Sequence, residues 1–156
     1  MAESVYLDTT IPSYYYDERS ALKAYVEATR SWWEDERHNY SIFTSEYTLA
    51  ELDHGDYPNK GEILELIEDI AVLPLVDEIE GIAEVYMKEY VMPGGAAGDA
   101  FHLACSSFHK VDYLLTWNCN HLANANKEKH IRIVNTKLGL FTPTIVTPLQ
   151  LFREQE

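Results

Sequence analysis

The chain has 156 residues, of which 46% are hydrophobic, and a formal net charge of −14. This length and composition are enough to bury one core, so we expect a single domain over residues 1–156. A chain this acidic does not hold nucleic acid on a broad basic surface, because affinity for phosphates comes from neutralising cations. Any contact with a polyanion therefore needs metal ions, a local basic strip or a basic partner.

Short apolar runs alternate along the chain with longer segments of helical periodicity. The strand candidates, in chain order, are Ser4–Leu7, Tyr40–Phe43, Ala71–Leu75, Tyr113–Thr116 and Thr144–Val146. The helix candidates are Arg19–Arg37, Thr44 to about Gly55, Lys60–Ile70, Glu78–Tyr90, Asp99–His109 and His121–Leu138, with a last turn or short helix over Thr147–Arg153. Strands separated by helices predict parallel β–α units, and hence a three-layer α/β/α sandwich around a central parallel sheet.

The cysteines and the first residues bear on the cellular compartment. Cys105 and Cys119 are too few and too differently placed for a disulfide framework or a zinc site, which favours a reducing environment. The first residues lack the basic region and apolar core of a signal peptide. No apolar run approaches the roughly 20 residues of a membrane-spanning helix. We therefore expect a cytoplasmic protein that does not cross a membrane.

Asp8 directly follows the first predicted strand and precedes a pair of threonines. Considered locally, an Asp or Thr before a helix started by Pro12 is a cap for its free backbone N–H groups. In parallel sheets, however, binding sites form outside the carboxyl ends of the strands. Asn118 follows the fourth predicted strand in the same way, while Glu51 and Asp99 lie on helices that could face the same crevice.

Three acidic residues are therefore candidate ligands of a divalent metal. Carboxylates that converge on a crevice repel one another, and burying an unpaired charge is costly. Hard cations such as Mg²⁺ prefer oxygen ligands and keep several waters, which leaves room for phosphate oxygens. Considered singly, Glu51 is also an ordinary edge residue of a helix, and Asp99 a cap. His102, three residues after Asp99, either contacts metal or phosphate, or packs behind the ligands.

Four segments, YLDTT, TSEYTLAEL, GDAFHLA and LLTWNCNHL, resemble in order and spacing the motifs of PIN-domain ribonucleases, particularly the VapC-type toxins of prokaryotic toxin–antitoxin pairs. The resemblance extends over nearly the whole chain and implies a small α/β fold around a central parallel sheet. It also implies hydrolysis of RNA phosphodiester bonds that depends on Mg²⁺ or Mn²⁺. We accordingly expect an RNA substrate, an antitoxin protein as partner, and a homodimer or higher homo-oligomer.

The resemblance also assigns site residues by position. Its acidic residues correspond to Asp8, Glu51 and Asp99, which become the expected metal ligands and catalytic residues. The fourth acidic position of the family is occupied by Asn118, which joins them as a catalytic candidate. An amide binds water or a phosphate oxygen but contributes no charge. In-line hydrolysis needs an activated water and charge stabilisation at phosphorus and at the leaving oxygen, which one or two metal ions supply.

Two alternatives compete with this hypothesis. A phosphatase of the haloacid-dehalogenase type also has an Asp after its first strand, but it needs a second Asp at the position of Thr10. A catalytically silent PIN-like module that acts by protein contact is consistent with the net charge of −14 and with Asn118. The local basic strip of the chain either guides RNA or is a solvated helix face; its residues are Lys127, Lys129, His130 and Arg132.

Overall fold

The computed structural model describes residues 2–153, which contain a five-stranded sheet. Its strands are β1 Ser4–Leu7, β2 Ser41–Ser45, β3 Ala71–Leu73, β4 Tyr113–Leu115 and β5 Thr144–Val146. Their order across the sheet is β3-β2-β1-β4-β5, and every neighbouring pair is parallel. The predicted parallel sheet is confirmed. Residues 1 and 154–156 of the predicted single domain lie outside the described residues, and the domain count stays a prediction.

Helices cover both faces of the sheet. Within the described residues the α-helices are α1 Thr10–Tyr15, α2 Lys23–Ser31, α3 Glu46–Asp53, α4 Lys60–Leu66, α5 Asp77–Lys88, α6 Ala97–Phe108 and α7 Ala125–Lys137. A 3₁₀ turn over Ser20–Leu22 leads into α2, which continues as a π-helical turn over Trp32–Glu36 and a 3₁₀ turn over Arg37–Asn39. None of the helices in residues 2–153 combines the length and apolar content needed to span a membrane.

The alternation of side chains along β1 divides the core into two halves, one on each face of the sheet. Tyr6 and Leu114 belong to the half formed with α5, α6 and α7, which includes Ile79, Ala83, Tyr86, Leu103, Ile131 and Val134. Val5, Leu7 and Leu115 belong to the other half, which includes Ile11, Trp32, Trp33, Leu52 and Ile63. Two cores around one sheet confirm the expected three-layer α/β/α architecture.

The last predicted helix begins later than the sequence pattern indicates. The periodicity predicted a helix over His121–Leu138, whereas α7 begins at Ala125. Asn124 is its N-cap, because its Oδ1 accepts a hydrogen bond from the backbone N–H of Asn126 at 3.0 Å. His121 therefore lies in the turn between β4 and α7, and its predicted helical position is wrong.

One other predicted helix start also changes, and the last predicted segment is a turn. The helix expected from Asp99 begins at Ala97, so Asp99 lies within the first turn of α6 and is not its N-cap. The segment after β5 begins with a hydrogen-bonded turn, in which the N–H of Gln150 donates to the carbonyl of Thr147 at 2.9 Å, so of the predicted turn or short helix over Thr147–Arg153 the turn is present.

The topology creates a crevice at one edge of the sheet. From β1 the chain runs outward to β2 and β3, and it then returns to the other side of β1 as β4. In open α/β sheets, ligands bind outside the carboxyl ends of the strands at such a reversal of strand order. Asp8 and Thr116 are the first residues beyond the carboxyl ends of β1 and β4.

Candidate active site

Asp8 lies at the carboxyl end of β1 with only 2% of its surface exposed. Its Oδ1 accepts hydrogen bonds from the backbone N–H of Thr10 at 3.0 Å and from Thr10 Oγ1 at 2.5 Å, and its Oδ2 accepts one from Thr116 Oγ1. Burial raises the pKa of Asp8, opposed in part by His102 and by these threonines. Asp8 thus accepts a hydrogen bond from the first backbone N–H of α1, as the cap interpretation expected. Through Thr116 it also links the carboxyl ends of β1 and β4.

Glu51 projects from α3 towards the same crevice, with 34% of its side chain exposed. Its Oε1 accepts a hydrogen bond from Thr9 Oγ1 at 2.5 Å and lies 2.7 Å from His102 Nε2. Partial burial acts to raise the pKa of Glu51, but the contacts with His102 and Thr9 outweigh it, so the pKa is lowered. Glu51 is therefore a carboxylate at neutral pH.

Asp99 is paired with a histidine that follows β4. Its Oδ2 lies 2.9 Å from His121 Nδ1. A carboxylate in the first turn of a helix is also stabilised by the positive end of the helix dipole. Sequence reasoning missed His121 as a site residue, because its partner is 22 positions away and no local pattern signals such a pair.

The close contacts of Glu51 connect it to the segments that carry Asp8 and Asp99. Thr9, which bonds to Glu51, is the neighbour of Asp8 in the chain. On the opposite side, a Cβ placed on Gly98 would lie 3.1 Å from Glu51 Oε2, so the backbone just before Asp99 passes close to this oxygen. Glu51 lies 43 positions after Asp8 and 48 positions before Asp99 in the sequence, and its helix α3 packs against α6, which carries Asp99.

Asn118 lies beside the crevice and uses its side-chain oxygen within the fold. Its Oδ1 accepts hydrogen bonds from the backbone N–H groups of Asn120 at 3.2 Å and His121 at 3.0 Å. Its own backbone N–H donates to Thr116 Oγ1 at 2.9 Å. The oxygen therefore closes the turn after β4, and the Nδ2 amino group is left as the part of the amide that can meet a ligand.

His102 is buried behind the crevice, with 3% of its surface exposed. Its Nε2 lies 2.7 Å from Glu51 Oε1, and its Nδ1 lies 2.7 Å from the Tyr6 hydroxyl. Both ring nitrogens therefore have partners inside the protein. Of the roles considered from the sequence, this arrangement favours a residue packed behind the acidic side chains.

The carboxylates fit a hard divalent cation by donor type, because Mg²⁺ and Mn²⁺ prefer oxygen ligands. Within residues 2–153, no three His, Cys, Asp or Glu side chains are grouped as a ready metal cage. The described hydrogen bonds instead engage Glu51 through Oε1 and Asp99 through Oδ2. Glu51 Oε2 and Asp99 Oδ1 are the oxygens that these bonds leave available to such an ion.

No protein-family model and no curated protein matches the sequence. The fold is nevertheless similar to solved structures. A chain of VapBC2 from Rickettsia felis, crystallised with a DNA fragment from the promoter, matches with a TM-score of 0.58 and 14% identity over 92% of this chain and 98% of that one. VapC20 from Mycobacterium tuberculosis, a toxin that cleaves the sarcin–ricin loop, matches with a TM-score of 0.52 and 13% identity over 70% of this chain and 86% of that one. The chain has the PIN-like fold of VapC-type toxins.

Proposed function

We propose that the protein is a metal-dependent endoribonuclease, the toxin of a toxin–antitoxin pair, which hydrolyses RNA in the crevice of Asp8, Glu51 and Asp99. The observation that carries this proposal is the buried carboxylate of Asp8, held by Thr10 and Thr116 where the strand order reverses. A carboxyl group whose pKa burial raises, placed in a crevice, is the pattern expected of a functional group.

The fold supports the substrate class and the partner. VapC20 cleaves the sarcin–ricin loop, which supports RNA as the substrate here. The VapBC2 structure supports an antitoxin protein as partner. The two free cysteines, Cys105 and Cys119, are consistent with the cytoplasm that we propose as the compartment. A homodimer or higher homo-oligomer stays a prediction.

Each residue of the crevice has a chemical task in this proposal. Asp8, Glu51 and Asp99 would hold Mg²⁺ or Mn²⁺, which when bound supplies an activated water and charge stabilisation for phosphodiester hydrolysis. Thr10 and Thr116 fix both oxygens of Asp8 at the strand ends, so its orientation is set before substrate binds. Asn118 Nδ2 would donate a hydrogen bond to water or to a phosphate oxygen.

A catalytically silent PIN-like module is the second candidate. Asn118 favours it, because the fourth acidic position contributes no charge and its Oδ1 is engaged by two backbone N–H groups. The histidine partners of Glu51 and Asp99 favour it too, since each occupies one oxygen of a carboxylate that the enzyme would use for metal.

Cleavage of single-stranded RNA by the purified protein separates the two candidates. With Mn²⁺ we expect cleavage by the wild type, none in excess EDTA, and none by Asp8→Asn or Asp99→Asn. Asp53→Asn is the matched control, because it removes an exposed carboxylate from the same helix as Glu51. Cleavage that persists in EDTA or in both site variants contradicts the metal-dependent enzyme. A wild-type protein that cleaves no RNA with either Mg²⁺ or Mn²⁺ supports the silent module.

A further inference from the structure

A line of hydrogen bonds runs from the N-cap of α3 through β1 and α6 back to α3. At its start, the Oγ of the N-cap Ser45 lies 2.7 Å from the Tyr6 hydroxyl on β1. That hydroxyl lies 2.7 Å from His102 Nδ1 on α6, and His102 Nε2 lies 2.7 Å from Glu51 Oε1, back on α3. Ser45 and Tyr6 are fully buried, and His102 is 3% exposed. The line therefore connects Glu51 to the centre of the sheet without passing through solvent.

The partners of His102 determine where its ring carries a proton. Glu51 Oε1 is an acceptor, so the hydrogen between it and His102 Nε2 must belong to the nitrogen. An unprotonated Nε2 would set a lone pair against a carboxylate oxygen at 2.7 Å. On the other side, burial raises the pKa of Tyr6 well above its ordinary value, so the hydroxyl keeps its proton; it can give that proton to Nδ1 while accepting one from Ser45 Oγ, 2.7 Å away. In that arrangement Nε2 carries the hydrogen that faces Glu51, and Nδ1 accepts from Tyr6.

We infer that His102, held in this tautomer by Tyr6, is a positioning residue for Glu51. The Nε2–H and Thr9 Oγ1 converge on the same oxygen, Glu51 Oε1. They fix the carboxylate so that its Oε2 lies beside Gly98 at the crevice. Both side chains are buried behind the crevice. The effect on cleavage rests on the proposed function, whereas the tautomer and its dependence on Tyr6 do not.

The first test is ¹⁵N NMR of the histidine side chains, with the His102 signals assigned by their loss in His102→Gln. In the wild type we expect a protonated Nε2 and an unprotonated Nδ1. Tyr6→Phe keeps the buried ring but removes the donor to Nδ1, and should shift His102 to a mixture of tautomers. Glu46→Gln is the matched control on α3, because Glu46 contacts the N–H of Leu75 and not the histidine. A proton on Nδ1 in the wild type, or unchanged signals in Tyr6→Phe, overturns the inference.

The second test compares two amides in place of the ring. In His102→Gln the side-chain N–H₂ reaches the former position of Nε2, whereas in His102→Asn it reaches only that of Nδ1. We expect His102→Gln to stay close to the wild type, and His102→Asn to lose about 10- to 100-fold in Mn²⁺ affinity by calorimetry and in RNA cleavage. Equal losses in the two folded variants contradict the positioning role. If the wild type cleaves no RNA, the proposed function fails, while the NMR result still decides the inference.

Discussion

Asn118 shows how a single residue divides its groups between the fold and the crevice. Its Oδ1 accepts from the N–H groups of Asn120 and His121, so this oxygen is needed to close the turn after β4. An aspartate at this position has the same acceptor and adds a negative charge. The substitution therefore tests the departure from the four-carboxylate pattern without removing a hydrogen bond that the fold uses.

Asn118→Asp should raise the Mn²⁺ affinity, because it adds a fourth carboxylate close to Asp8, Glu51 and Asp99. The free energy of unfolding without added metal should stay within about 1 kcal/mol of the wild type, since the turn keeps its acceptor while like-charge repulsion grows. Titration calorimetry with Mn²⁺ and urea denaturation measure the two quantities.

Asn120→Asp provides the control for this change, because it adds the same charge at an exposed neighbouring residue. Its Mn²⁺ affinity should remain close to that of the wild type. If Asn118→Asp and the wild type bind Mn²⁺ equally, residue 118 lies outside the metal site and the three carboxylates act alone.

Sequence reasoning named the acidic residues of the proposed site, but not the partners that the structure gives them. Asp8 was identifiable because it ends an apolar strand, and Glu51 and Asp99 because each stands out among apolar helix residues. The partnerships of these last two with His102 and His121 join residues 51 and 22 positions apart, so only the packing of the chain reveals them. Local patterns carry no signal for such pairs.

At the scale of the elements, local signals placed the strands well and the ends of helices less well. The predicted N-cap Ser45 is confirmed, since its Oγ accepts from the N–H of Thr48 at 3.3 Å. The start of α7 was missed, because the turn that Asn118 closes interrupts a helical pattern without any glycine or proline. The π-helical turn over Trp32–Glu36 was also missed, since its residues follow the same apolar spacing as the helix before it.

Tyr86 ties three helices of one core together. It lies on α5, and its hydroxyl contacts Ser107 of α6 at 3.2 Å and Asn135 of α7 at 2.5 Å. All three side chains are buried. Asn135 Nδ2 in turn donates to Ser107 Oγ at 3.1 Å, so the three polar groups satisfy one another within an apolar layer.

Tyr86→Phe should lower the free energy of unfolding by about 1–3 kcal/mol, because it leaves the Oδ1 of Asn135 buried without its donor. Urea denaturation at neutral pH measures the change. Tyr90→Phe is the matched control: Tyr90 is 85% exposed, so removing its hydroxyl should change stability by less than about 0.5 kcal/mol. Equal effects of the two changes would show that the buried contacts of Tyr86 contribute nothing.

The difference in stability between the wild type and Tyr86→Phe should also depend on pH. Burial raises the pKa of Tyr86 from 10.0 to about 12, so the folded protein resists its ionisation. The stability that this hydroxyl contributes is complete below pH 10.0 and is lost as the pH rises towards about 12. The gap in stability between wild type and Tyr86→Phe should therefore narrow across this window. A gap that widens there contradicts the raised pKa.

At the scale of the whole molecule, the net charge of −14 opposes the approach of RNA. The basic strip on α7 offsets this charge only in part, because one of its cations is paired with a carboxylate and another is held against the backbone. Lys127 Nζ donates to the carbonyl of Val91 at 2.5 Å, and Arg132 pairs with Glu128 at 2.7 Å. The charge distribution therefore favours the solvated-face interpretation of the strip over a guide for RNA.

If RNA is the substrate, as we propose, like-charge repulsion should give its association an inverse salt dependence. Raising the ionic strength from about 0.01 M to 0.15 M shortens the Debye length from about 30 Å to 8 Å, which screens the repulsion. The association rate constant should therefore increase severalfold as NaCl is added at fixed Mn²⁺. A protein with a basic binding surface shows the opposite response and associates more slowly as NaCl is added. Stopped-flow fluorescence with labelled single-stranded RNA measures this rate, and Asp8→Asn prevents cleavage during the experiment.

Adding Glu62→Lys and Glu65→Lys, which reverse two exposed charges on α4, should weaken the salt dependence. A rate constant that falls as NaCl is added would reveal a steering surface of positive charge and contradict this account of the molecule.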